Sequence, residues 1–168
     1  MINDFFAAAS KGDTAQLKEL LEVNPLLSNT ENGDGLTPLG YAAHYGHADA
    51  VKLLLEHGAD VNALSHSKVS YIPSNTALHA AIAGERDMDV IQMLLAHDAK
   101  PNIFDSNGHT SLHSAAFHDD HIELIDLLIE YGADIQAKAE GGVTALSLAK
   151  EKGNSKAAGR LIEKGAFE

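Results

Sequence analysis

Apolar residues in this chain come in short bursts spaced three and four apart, and the bursts fall in pairs. Leu39, Ala42 and Ala43 form one burst, and Val51, Leu54 and Leu55 form the next after a turn around Gly46. Such spacing lines one face of a helix, so the stretch predicts two short helices joined by a turn. The second burst recurs as Ile91, Leu94 and Leu95, and again as Ile125, Leu128 and Ile129. Toward the N-terminus, Phe5, Ala8 and Ala9 are followed across Gly12 by Leu17, Leu20 and Leu21. Toward the C-terminus, Ala157, Ala158, Leu161 and Ile162 close the series. Alanine at the inward sites of the first helices lets neighbouring helices approach closely.

Two motifs run in phase with the bursts. The first is Thr37-Pro38-Leu39-Gly40-Tyr41-Ala42, repeated as Thr76-Ala77-Leu78-His79-Ala80-Ala81, Thr110-Ser111-Leu112-His113-Ser114-Ala115 and Thr144-Ala145-Leu146-Ser147-Leu148-Ala149. Its steps are 76 − 37 = 39, 110 − 76 = 34 and 144 − 110 = 34. Thr37 suits a helix N-cap, and Pro38 suits the first helical position because no donor is needed there. The second motif is Gly58-Ala59-Asp60-Val61-Asn62, with counterparts Asp98-Ala99-Lys100-Pro101-Asn102, Gly132-Ala133-Asp134-Ile135-Gln136 and a truncated Gly165-Ala166. Its leading residue falls where a helix end wants left-handed backbone. At the equivalent positions Asn24 and Asp98 are the non-glycine types that tolerate that conformation best.

These residues resemble the ankyrin repeat, whose pattern is close to Thr-Pro-Leu-His-x-Ala followed by Gly-Ala-Asp-x-Asn. The resemblance covers nearly the whole chain and implies an all-α ankyrin-repeat solenoid of about five helix–turn–helix units with hairpin-like loops. The units are approximately 1–35, 36–74, 75–108, 109–142 and 143–168, read as a single domain. The first is degenerate and the last truncated, as the capping units of a repeat array are. The resemblance further implies an L-shaped stack with a concave groove, and protein–protein contact through loop tips and the exposed side of the first helices.

The chain departs from its own pattern in one loop and two turns. Gly58 to Thr76 spans 18 residues, where Asp98 to Thr110 and Gly132 to Thr144 span 12. About six residues are therefore inserted within Ser65 to Asn75. The inserted segment places Val69, Tyr71 and Ile72 on a loop. One reading is a neutral insertion whose apolar residues fold back on the stack, since loop length costs little. The other is an extended finger with a Tyr/Ile anchor, a mix suited to interface hot spots. The turns near Gly84-Glu85-Arg86-Asp87 and Phe117-His118-Asp119-Asp120 each carry one extra residue.

Composition narrows the function. The 168 residues include 24 acids against 12 Lys and Arg, a net charge of −12. Phosphate binding wants a basic patch, so nucleic acid is not the expected partner. From Pro101 to Ala137 there is no Lys or Arg, while Lys150, Lys152, Lys156, Arg160 and Lys164 cluster later. That stretch reads as a solvated acidic surface or as a preference for a basic partner. Cysteine is absent, which excludes thiolate chemistry and Cys-based zinc sites. The N-terminus lacks a basic region and a long apolar run, so no secretion signal or membrane span is expected, and a cytoplasmic location follows by default.

The ten histidines invite a metal or catalytic reading. His79 and His113 stand at the motif's own His position, and His47 and His121 at its turn, so all four read as structural. His118-Asp119-Asp120-His121, with His109 and His113 nearby, is the densest ligand-like cluster, but adjacent turn residues seldom converge on one ion. Four histidines within the base-free stretch also raise pH sensing as an idea. Glu140-Gly141-Gly142 is a turn, and no nucleophile elbow or phosphate-cradling loop is present. The expectation is therefore a non-enzymatic, monomeric module with no metal or other cofactor, acting as adaptor, scaffold or regulator of a partner protein. Its contact residues are expected to be Asp34, Leu36, His44, Tyr45, Asn75, His109, Phe117 and His118, with Lys68, Tyr71 and Ile72 from the insertion. Tyr45, Tyr71 and Phe117 would be the anchors. The rival readings are an acidic inhibitor or immunity-type protein that occludes a basic enzyme, and a His-based metal binder.

Overall fold

The computed structural model describes residues 1–85, 87–118 and 120–168. Among these it is all-helical, with ten α-helices in five antiparallel pairs. The pairs are α1 (Ile2–Lys11) with α2 (Thr14–Val23), α3 (Pro38–His44) with α4 (Ala48–Glu56), α5 (Ala77–Ala83) with α6 (Met88–Ala96), α7 (Ser111–His118) with α8 (Ile122–Glu130), and α9 (Ala145–Lys152) with α10 (Ser155–Glu163). The all-α class of paired helices expected from the motifs is the class found. The chain divides into two compact units, Met1–Ala99 and Lys100–Glu168.

In the first unit, first helices stack on first helices, α1 on α3 on α5, and second helices on second helices, α2 on α4 on α6. The core includes sites that the three-and-four spacing marked, Phe5, Ala8, Leu17, Leu39, Ala42, Val51, Leu54, Ile91 and Leu94, and α5 adds Leu78 and Ile82, all of them buried. The Thr37 hydroxyl accepts the Gly40 N–H at 3.1 Å, so α3 starts on the expected cap. Thr76 behaves differently. Its hydroxyl pairs with His79 Nδ1 at 2.9 Å inside the core, and α5 has no side-chain cap bond.

In the second unit α7 stacks on α9 and α8 on α10, burying Leu112, Ala116, Leu124, Ile125, Leu128, Leu146, Ala149, Ala157 and Leu161. Thr144 caps α9 in a reciprocal box with Ser147. Ile162, expected on the buried face, is 52% exposed. Its counterpart Leu95 is buried.

Each second helix ends as the motif requires, with one exception. Asp98 has φ +66, the left-handed backbone expected of it. Asn24 does not, with φ −143 and ψ 93. Pro25 follows it, and a residue before proline is pushed toward extended backbone. Asn24 then turns its side chain to cap the 3₁₀ turn Pro25–Asn29, accepting from Leu26 N–H.

An asparagine at the last position of the second motif, or one residue past it in the first pair, ties successive pairs together. In the first unit Asn29 donates to the Gly58 carbonyl at 2.8 Å and accepts from Asp60 N–H, and Asn62 donates to the Asp98 carbonyl at 3.0 Å. In the second, Asn102 donates to the Gly132 carbonyl at 2.9 Å and accepts from Asp134 N–H. These amides satisfy carbonyls at helix ends that have no intrahelical donor.

Candidate functional site

The exposed face of α3 in the first unit carries a run of rings. Phe6 meets Tyr41 edge-on with centroids 5.2 Å apart, Tyr41 meets Tyr45 at 5.4 Å, and His44 meets Tyr45 at 5.2 Å. His47 lies parallel to Tyr45 at 6.4 Å. It is held there because its Nε2 bonds the Ser10 carbonyl at the end of α1. Tyr41 lies on α3 and Tyr45 caps its C-terminal end four residues on, so their rings share a face. Burial raises the Tyr41 hydroxyl pKa, aided by Tyr45 beside it and by the Asp34 charge.

Asp34 sits on the hairpin before α3. Asn32 organises that hairpin: its Oδ1 accepts from Asp34 N–H and Leu36 N–H, both at 3.0 Å. The insertion then clasps this hairpin. His66 N–H donates to the Gly35 carbonyl and Lys68 N–H to the Asp34 carbonyl, both at 2.9 Å. His66 also bonds Glu31 through ring and backbone, and Lys68 Nζ reaches the Gly33 carbonyl at 3.3 Å. Ser65 and Asn75 close the neck of the insertion by mutual backbone and side-chain bonds. Val69 and Ile72 are half-buried, whereas Tyr71 is 84% exposed. The neck and the aliphatic residues fold back, and the tyrosine projects.

Of the eight expected contact residues in this unit, Lys68, Asp34, Tyr45 and His44 are linked into one run through Tyr41. Leu36 and Asn75 hold backbone, Ile72 is half-buried, and among the described residues Tyr71 has no ring contact or hydrogen bond to the run. Tyr41 was missed by sequence reasoning, although its place four residues before Tyr45 marks the shared face.

The second unit holds the other three. His109 stacks on His113 at 5.7 Å and its N–H donates to Asp105 Oδ1. Phe117 is 39% exposed, with Lys152 Nζ 4.5 Å above its ring and His118 edge-on at 5.1 Å. The phenyl ring thus has an intrachain cation–π partner on the next helix pair. His113 is structural, as expected. Thr110 N–H donates to its Nδ1 and its Nε2 faces the Val143 carbonyl at 3.0 Å. That pattern fixes the neutral tautomer, and burial lowers its pKa.

The acidic stretch is partly neutralised within the same unit: Asp126 faces Arg160 at 3.6 Å and Lys164 at 3.4 Å. Asp120 accepts from Ala157 N–H at the start of α10, and His121 faces Glu123 at 3.3 Å. Asp119, of the ligand-like cluster, and Arg86, of the other extended turn, lie outside the described residues. Among the described residues no group of three or more His, Cys, Asp or Glu is arranged to hold a metal ion. Nor is any helix among them long and apolar enough to cross a membrane.

Comparison with known proteins matches residues 5–105, 64–139 and 89–168 to the family model described as ankyrin repeats (3 copies). The chain is similar to an ankyrin repeat protein of fowlpox virus, FPV031, at 34% identity over 125 residues, 72% of this chain and 35% of that one. It is 35% identical over 142 residues to the palmitoyltransferase AKR1 of Lachancea kluyveri, 82% of this chain and 18% of that one. It is 34% identical over 158 residues to the nuclear factor NF-kappa-B p105 subunit of Gallus gallus, 89% of this chain and 15% of that one. The chain therefore spans 35% or less of the length of these relatives.

Proposed function

The chain belongs to the ankyrin repeat family, a protein–protein interaction module, and on that premise we propose that it acts as an adaptor, scaffold or regulator without chemistry of its own. The proposed contact surface in the first unit is the Tyr41–Tyr45 run on α3, flanked by the Asp34 hairpin and the projecting Tyr71. The observation that carries this reading is the run itself: large rings gathered on an outward helix face, with Tyr45 still 41% exposed. Tyrosines of this kind give a large contact area at low entropic cost and recur as interface anchors. In the second unit Phe117 and His118 form a separate proposed contact patch, with Lys152 giving up its ring contact on binding.

The test compares proteins captured from native lysate by wild type and by Tyr45→Ala/Tyr71→Ala/Phe117→Ala, with thermal melts confirming that both fold. Loss of specific partners supports the reading. An unchanged set of captured proteins rejects this surface, and single variants then separate the α3 run from the insertion. The acidic-inhibitor reading makes a different demand, a steep fall of affinity with salt. The pairing of Asp126 with Arg160 and Lys164 removes part of the free charge that reading relies on.

A further inference from the structure

Two Asn-Gly dipeptides lie on hairpin tips, Asn32-Gly33 in the first unit and Asn107-Gly108 in the second. We propose that Asn107 is a self-modification site, at which the Gly108 backbone nitrogen displaces the side-chain amide and leaves a carboxylate on the tip. The proposal concerns the chain's own chemistry and needs no partner.

The reaction balances with water alone. The Gly108 nitrogen bonds Asn107 Cγ while the Cγ–Nδ2 bond breaks, and the Gly108 amide proton leaves with that nitrogen as ammonia. The resulting succinimide takes up one water, and opening at either carbonyl yields aspartate or isoaspartate. Glycine permits the ring closure because it brings no Cβ against the attacked carbon.

Sequence alone gives both asparagines the same reactive neighbour; the structure separates them. The Asn32 side chain is the organiser of its hairpin, holding Asp34 N–H and Leu36 N–H at 3.0 Å each. The insertion clamps the same hairpin through the His66 and Lys68 bonds to the Gly35 and Asp34 carbonyls. Rotating Asn32 toward Gly33 nitrogen gives up both side-chain bonds. The organising role in the second hairpin belongs instead to Asp105, whose Oδ1 accepts from Asn107 N–H at 2.9 Å and His109 N–H at 2.8 Å. Asn107 is exposed, and among the described residues its side chain has no hydrogen-bond partner. One bond opposes the reaction: Gly108 N–H donates to the Asp105 carbonyl at 2.9 Å. It lies at a loop tip, where local opening is cheap.

The two products differ in consequence. Aspartate keeps the main chain and adds a charge two residues from His109. Isoaspartate lengthens the main chain by one carbon between the two N–H groups that Asp105 holds, so both bonds lose register.

The experiment incubates the folded full chain at body temperature and mildly alkaline pH. Conversion is followed by peptide mass spectrometry for the one-dalton gain and by isoaspartyl methyltransferase labelling. Giving up two side-chain bonds at Asn32, against one backbone bond at Gly108, predicts conversion about tenfold faster at Asn107 than at Asn32. A parallel sample unfolded in urea should convert both at similar rates, and Asn107→Ser should remove the faster signal. Equal rates in the folded chain, or faster conversion at Asn32, overturn the proposal. So does an intact Asn107 in folded protein beside a converting one in urea.

Discussion

His113 is held through both ring nitrogens, with Thr110 N–H donating to Nδ1, the Thr110 hydroxyl 2.8 Å from that nitrogen, and Nε2 facing the Val143 carbonyl. Burial opposes the charged form, and protonation would put a proton on the nitrogen that now accepts from Thr110 N–H. The folded chain therefore binds fewer protons at this site than the unfolded chain. The stability is complete above the ordinary histidine value of about 6.5 and declines as pH falls below it. Urea midpoints should drop between about pH 7.5 and about pH 5.5, and His113→Gln should flatten that part of the slope. An equal slope in both proteins would place the pH dependence elsewhere. A second residue-scale case is Gln136, which stands where Asn29, Asn62 and Asn102 make their rungs. Its Nε2 is buried without a partner among the described residues, and one extra methylene separates it from the geometry that works three times. Gln136→Asn should restore a bond to the Gly165 carbonyl and raise stability by about 1 kcal/mol. Asn102→Ala should do the reverse, costing about 1 kcal/mol by removing its bonds to the exposed Gly132 carbonyl and Asp134 N–H. Thermal melts of the two variants decide both.

The helices were legible because their signal is periodic and local, and the insertion's length was legible by counting. Its clasp was not, since bonds between residues 34–35 and 66–68 leave no trace in spacing. The clasp leaves one physical signature at Gly35, where an added Cβ would stand 1.9 Å from the His66 carbonyl oxygen at φ +75. Gly35→Ala should therefore cost about 2 kcal/mol or more, from the left-handed backbone and from displacing the insertion. Removing the projecting tip around Tyr71 should change stability by less than about 0.5 kcal/mol, because loop length is cheap and nothing in the core rests on that ring. If Gly35→Ala melted like wild type, the clasp would have no role in stability. The same contrast explains the candidate site. Tyr45 was legible as an exposed aromatic, and the Asn24 exception was legible in the proline that follows. The Lys152 contact on Phe117 depends on two helices meeting, and Tyr41 matters through its ring neighbours, so neither could be read along the chain.

At the scale of the molecule, repeat arrays are stabilised by neighbours: a helix pair cannot bury its apolar face alone, and about three pairs are needed for a stable fold. Met1–Ala99 contains three pairs and Lys100–Glu168 contains two. In the first, α3 and α4 are covered on both sides by other pairs of the same unit, and the Asn29 and Asn62 rungs both close within it. In the second, each pair has one neighbour within the unit, and its ion pairs around Asp126 are half-exposed contacts worth little in water. Expressed alone, residues 1–99 should therefore melt cooperatively with helical circular dichroism, while residues 100–168 should show a broad transition and poor amide protection. A sharp melt from the smaller fragment would mean that two pairs suffice here. The extra stability would then have to come from the Thr144–Ser147 box and the Asn102 rung, which Asn102→Ala in that fragment would test directly.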